Sequence, residues 1–102
     1  MYDGAIEKMS RQRRIVCASN LRSDGIMILG PRHWDLTMHK QHDIIPPDDR
    51  LISTWQQGFI DNSGVWLNRC DAWKIAEAAG QIIYRVGGDT TNGGTLYSEN
   101  LY

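Results

Sequence analysis

No stretch constrains this chain more than QGFIDNSGVWLNRCDAWKIAEAAGQ, residues 57–81. Asp61-Asn62-Ser63-Gly64 is a run of favoured turn residues. It separates two short segments rich in apolar and aromatic side chains, so 55–60 and 65–67 read as the strands of a hairpin. Asn68 follows as a helix N-cap, with Asp71 three residues on in the place of a capping-box partner. Ala72, Ile75, Ala76 and Ala79 then recur at i, i+3, i+4 and i+7, one face of an α-helix. Gly80 closes it, because the residue after a helix C-cap commonly takes a positive φ that costs glycine nothing. The alanines keep that face thin, so the helix can lie close on a sheet.

A second hairpin precedes this one. Residues 14–21 are apolar or small, Ser23-Asp24-Gly25 supplies a turn, and 25–29 returns as a strand apolar enough to be expected at the centre of the sheet. Gly30-Pro31 ends it. A helix is expected over 33–44, where Trp34, Met38 and Gln41 share a stripe and Pro46-Pro47 forbids continuation. Residues 46–53 read as a charged loop of low order, and residues 1–12 as an N-terminal arm or short helix. The glycine pairs at 87–88 and 93–94 bound a flexible loop before a strand-like piece at 95–97. At 102 residues the chain reads as one domain, near the lower end of what can bury a self-sufficient core. The expected fold class is α+β: a small antiparallel sheet from two β-hairpins packed against two main helices.

Charge limits the partners. Eleven Lys and Arg against twelve Asp and Glu leave a net charge of −1, whereas proteins that neutralise many phosphates carry a basic excess. Nucleic acid is disfavoured, the one dense basic stretch being Arg11-Gln12-Arg13-Arg14. No apolar run is long enough to span a bilayer and no signal peptide opens the chain, so no membrane partner and a cytoplasmic location are expected. Cys17 and Cys70 lack the close spacing of zinc or redox pairs and read as two buried thiols. Pairing with copies of itself removes further apolar surface from water, so a homo-oligomer is expected.

Chemistry-bearing residues gather at two places. Arg32-His33-Trp34-Asp35 follows the Gly-Pro break. A guanidinium fork, a titratable imidazole and an indole plate beside a helix start suit an anionic, planar ligand. The bland alternative has Trp34 capping the core, Asp35 capping the helix and Arg32 solvated. Phe59, Asp61, Asn62, Trp66, Arg69, Trp73 and Gln81 gather around the second hairpin and its helix, with Trp66 and Trp73 most simply core. Arg69 stands in a first helical turn, where a cation opposes the helix dipole, so it reads as serving a partner or ligand. The ligand-binding candidates are Arg32, His33, Trp34, Phe59, Asn62 and Arg69. Asp35, His39 and His42 fall at i, i+4 and i+7, a spacing compatible with a metal, but a fourth ligand is lacking and no metal is expected. No P-loop, GxGxxG or GxSxG occurs, and no Ser-His-Asp or Cys-His order, so neither a catalytic residue nor a cofactor is expected.

Three pieces carry a family resemblance. They are Ile15-Val-Cys-Ala-Ser with Ile28-Leu-Gly-Pro-Arg-His-Trp-Asp; the module Gln57-Gly-Phe-Ile-Asp-Asn, Asn68-Arg69, Ala72-Trp-Lys-Ile-Ala and Ala79-Gly-Gln; and the ending Leu96-Tyr-Ser-Glu-Asn-Leu-Tyr102. The pattern resembles the type 1 anti-Thoeris proteins, phage sponges that sequester the cyclic ADP-ribose signal of a bacterial immune system. The resemblance implies a non-catalytic oligomer that binds cyclic nucleotide messengers in separate pockets, including the cyclic oligonucleotides of the related CBASS pathway. It points to Arg32, His33, Phe59, Asn62 and Arg69, with aromatic plates for bases and arginines for phosphates. The competing expectation is a phage inhibitor of a host defence protein or nucleic-acid complex, of the anti-CRISPR kind, supported by the Arg11 to Arg14 cluster. A messenger-degrading hydrolase with His33 or His39 as base lacks a recognisable nucleophile or metal set.

Overall fold

The computed structural model describes residues 12–46 and 54–102. The two hairpins share one antiparallel sheet of β1 (Ile15–Leu21), β2 (Met27–Gly30), β3 (Gln56–Asp61) and β4 (Trp66–Asn68), in the order β2-β1-β3-β4. Helix α1 (Leu36–Ile44) follows β2, and helix α2 (Arg69–Ala78) follows β4. This is the α+β class that two hairpins, each followed by a helix, define. β1 and β3 join the hairpins, with Ala18 opposite Phe59 and Asn20 opposite Gln57. Side chains alternate along a strand, so the pairs Asn20–Ile28 and Phe59–Leu67 put Ala18, Asn20, Ile28, Phe59 and Leu67 on one face. That face meets Met38 of α1 and Ala72, Trp73 and Ala76 of α2 in a single core.

Helix α2 is built as its caps dictate. Asn68 Oδ1 accepts from the Asp71 N–H at 2.8 Å. At the far end Gly80, at φ 69°, donates to the Glu77 carbonyl while Gln81 donates to Ala76, the two bonds of a Schellman motif. The Gln81 side chain then exchanges hydrogen bonds of 2.7 and 2.8 Å with the backbone of Ile15. An amide side chain thereby stands in for a strand neighbour, where β1–β3 pairing slips between Ile15 and Cys17. The turn at 61–64 is organised by Asp61, whose Oδ1 accepts from Ser63 and Val65 and whose Oδ2 takes both Nε and Nη2 of Arg13.

Several expectations are corrected. β2 is an edge strand, not a central one: its apolar run reflects Ile28 in the core and Leu29 lining a surface groove. Gln41 of α1 covers that edge, its amide bonding both the N–H and the carbonyl of Leu29. Helix α1 begins at Leu36 rather than His33, because Trp34 takes φ 54° and Asp35 is the N-cap, accepting from the Met38 N–H at 3.0 Å. Trp66 is only half-buried and lies on the face opposite the helices against Gly58, as alternation from Leu67 requires. Both cysteines are free and half-buried rather than buried.

The glycine-rich segment is also tighter than a flexible loop. Asp89, 3% exposed, accepts from Arg85, from the Val86 N–H and from Asn100. Gly94, at φ 129°, presses its α-carbon side against the Trp73 ring, where a Cβ would come within 2.1 Å. Residues 95–97 form no strand; Leu96 donates to the Arg69 carbonyl and leads into a 3₁₀ turn, Ser98–Asn100. The expected arm over 1–12 and loop over 46–53 lie, but for Gln12 and Pro46, outside the described residues.

Candidate functional site

The pairing of Gly58 with Asn68 brings Arg69, the first residue of α2, beside Gln57 and Phe59 of β3. Its guanidinium crosses the Phe59 ring at 5.9 Å and stacks on Tyr97 at 4.9 Å. Nη1 donates to the Leu96 carbonyl at 2.9 Å, and Nη2 to Gln57 Oε1 at 2.6 Å. A longer contact, 3.4 Å, joins Nη2 to His33 Nδ1. All of these acceptors are neutral. Among the described residues no carboxylate lies within ion-pair distance of Arg69.

His33 is held from the other side. Its Nε2 lies 2.7 Å from the Gly58 carbonyl. A carbonyl only accepts, so Nε2 carries the proton and Nδ1 presents a lone pair to Arg69. The imidazole edge meets Phe59 at 5.2 Å and 86°. Burial pushes the His33 pKa below its ordinary value, against the Gly58 carbonyl and with help from Arg69. Burial also pulls the Arg69 pKa down, partly opposed by Tyr97 and Glu99. Both shifts have one leading physical cause: burial takes water from the charged forms, and the nearby negative groups offset this only in part.

Arg32, the residue before His33, lies over the Tyr102 ring at 4.9 Å and donates to the Tyr102 main-chain oxygen. The Tyr102 hydroxyl donates back to Pro31 at 2.8 Å. Arg32 Nη1 is enclosed with no hydrogen-bond partner. Beside this pair opens a groove of about 460 Å³ lined by Val16, Cys17, Leu29, Gly30, Pro31 and Tyr102, within the size range of small-molecule sites.

Of the six candidates, the fold gathers His33, Phe59 and Arg69, with Arg32 adjoining. Phe59 is 0% exposed, so it is the floor beneath the imidazole and guanidinium rather than a surface plate. Trp34 points into a different cluster, with Trp55 at 5.3 Å, His39 at 5.5 Å and His42 at 5.9 Å. Asn62 bonds the backbone of Gln12 and Arg14 at the turn end of the hairpin. Sequence reasoning missed Gln57, Tyr97, Glu99 and Tyr102. Gln57 shares its strand face with Phe59, so alternation could have found it. The others come from the chain's last residues, and Arg32 meets Tyr102 across a separation of 70 positions, beyond any local periodicity. Among the described residues no group of three or more His, Cys, Asp or Glu is placed to hold a metal ion.

Fold and site together define a small α+β protein that holds an arginine and a neutral imidazole half-buried over an aromatic floor. The chain belongs to the family described as phage T4 y16D protein, whose model matches residues 14–102. That family places it among phage proteins. No curated protein matches the chain, and no solved structure does. No described helix is long and apolar enough to cross a membrane.

Proposed function

We propose that this is a phage anti-defence protein that binds a cyclic nucleotide immune messenger, a cyclic ADP-ribose isomer or a cyclic oligonucleotide, and sequesters it without cleaving it. The observation that carries this reading is Arg69, a half-buried guanidinium whose hydrogen-bond acceptors are all neutral. Such a cation is an incomplete ion pair, and a phosphate completes it with two parallel charge-assisted bonds. The contact between Arg69 and Gln57 is at the solvent-exposed edge, so an entering phosphate displaces only an exposed amide, which water can solvate. Arg32 offers a second guanidinium on the neighbouring residue to His33, and the exposed part of the Tyr97 ring offers a stacking surface. Membership of a phage family agrees with the phage origin this reading needs.

In this reading the protein acts as a homo-oligomer. Support comes from Val16, Ile83, Tyr84 and Tyr102, large apolar side chains 54%, 62%, 55% and 43% exposed, which a lone chain gains by covering. Inhibition of a host protein or nucleic-acid complex has less support, since Arg13 of the basic cluster is engaged with Asp61 at 2.6 Å.

The test is calorimetric titration against cyclic ADP-ribose isomers and cyclic di- and trinucleotides, followed by heat release and mass measurement of what was bound. Tight binding with intact ligand recovered is expected. A cleaved product makes the protein an enzyme, and no binding to any member overturns the reading.

A further inference from the structure

Resting on the reading just given, we infer that Glu99 makes this a ribonucleotide site, its carboxylate accepting from a ribose hydroxyl next to the phosphate that Arg69 holds. Glu99 is the one exposed residue of a firmly mounted turn. On either side of it, Ser98 is 2% and Asn100 0% exposed. Asn100 donates to the Tyr84 carbonyl and to Asp89, and accepts from the Tyr97 N–H at 2.9 Å. The residues leading into the turn wrap Arg69, since Leu96 supplies a carbonyl and Tyr97 a ring to its guanidinium. Glu99 therefore stands exposed two residues beyond the Tyr97 ring that covers Arg69, on a turn anchored by buried neighbours.

Its carboxylate is chemically idle there. Ser98 Oγ, at 3.3 Å, is its hydrogen-bond partner, and among the described residues no Lys, Arg or His reaches ion-pair distance. Burial lowers the pKa of both His33 and Arg69, and the Glu99 charge partly opposes that lowering at each. The site thus presents one cation and, beside it, two acceptors that want protons: the Nδ1 lone pair of His33 and the Glu99 carboxylate. A phosphodiester group taken alone carries only acceptors, so it suits the cation and is repelled by the rest. A ligand that carries hydroxyl donors next to its phosphate suits the whole set, and a ribose phosphodiester is built that way. Reading of a ribose hydroxyl by an acidic side chain near bound phosphate is an established device of nucleotide sites. A site made to bond a hydroxyl discriminates against the analogue lacking it, because the acceptor is left unpaired.

The experiment titrates the protein and its Glu99→Gln variant with cyclic di-adenosine monophosphate and cyclic ADP-ribose, each alongside its 2′-deoxyribose counterpart. At least one ribose ligand is expected to bind ten or more times tighter than its deoxy form. In Glu99→Gln that preference should shrink to within about threefold, with the deoxy form held as well or better once the repulsion is gone. Equal affinity for the two sugars, or a preference that survives the substitution, overturns this inference and leaves the nucleotide reading standing. If none of the four ligands binds the unmodified protein, this inference is overturned, while the nucleotide reading stands or falls by the wider panel of cyclic ADP-ribose isomers and cyclic di- and trinucleotides. Glu99 is exposed, so the variant folds and its titrations report on the site.

Discussion

His33 donates from Nε2 to the carbonyl of Gly58 at 2.7 Å, across 25 positions of the chain. A loop residue is thus locked by the backbone of a neighbouring strand, and the lock sets its tautomer. The remaining nitrogen can only accept, which is why it sits against the guanidinium of Arg69 rather than competing with it. The assignment of Nδ1 as an acceptor rests on that one bond being made by a carbonyl.

Arg69→Lys should separate charge from geometry. Lysine keeps the positive charge but cannot hold the Leu96 carbonyl and a bidentate phosphate together from one planar fork. Affinity for the messenger is expected to drop at least tenfold, about 1.4 kcal/mol, read by calorimetry. Arg69→Ala should lose more. Unchanged affinity in both variants would remove Arg69 from the site.

His33 gives a pH signature. Its folded-state pKa is lowered by burial, so the unfolded chain binds its proton more readily. This group therefore costs no stability above its unfolded pKa of about 6.5. It becomes destabilising as pH falls from there toward the lower folded value, and then levels off. In urea unfolding at pH 7.5 and 5.5, the loss of stability on acidification should be smaller for His33→Gln than for the unmodified protein. An identical loss in both would mean that His33 titrates normally.

Asp61 behaves in the opposite pH range. Burial alone would raise its pKa, but the N–H groups of Val65 and Ser63 and the guanidinium of Arg13 outweigh that and hold it below the usual carboxylate value. Its contribution is complete above the unfolded pKa of about 3.9 and is lost as pH falls further, toward the folded value. Asp61→Ala leaves the turn donors unpaired and should cost about 1–3 kcal/mol at pH 7, measured as a shift in denaturant midpoint. It should also flatten the acid limb of the stability curve below about pH 4.

Asp89 should control the order of the last quarter of the chain. It joins Arg85, Val86 and Asn100, and Arg85 together with Val86 and Asn100 holds its carboxyl well below the ordinary range. Asp89→Ala is expected to lower the unfolding midpoint and to speed amide exchange over residues 85–100 selectively. Exchange in α2 should change far less. Uniform exchange in the parent protein would show that the glycine-rich loop is loose after all.

Much of the local architecture was legible. The turn at Asp61 to Gly64, the Asn68 cap and the Gly80 stop each act within a few residues, through backbone donors that the nearest suitable side chain or conformation satisfies. Periodicity likewise placed Ala72 and Ala76 in the core. The strand order was not legible, because an apolar run such as Ile26–Leu29 reads alike at a centre or an edge when one of its faces lines a groove. The start of α1 was misplaced for a related reason. A tryptophan at φ 54° is unfavourable on its own, and packing against Trp55, His39 and His42, with its N–H on Met38 Sδ, holds it there.

The sequence by itself determined two hairpins, two capped helices and the α+β class, since those follow from interactions a few residues long. It also marked Arg32, His33 and Arg69 as groups with chemistry to offer. Tertiary structure alone decided which of them meet. Gly58 reaches His33, Leu96 and Tyr97 wrap Arg69, Tyr102 closes on Arg32, and Trp34 and Asn62 are carried elsewhere. The reason is physical: these contacts exist only once both helices dock on one face of the sheet, and that docking is chosen by the whole core rather than by any local pattern.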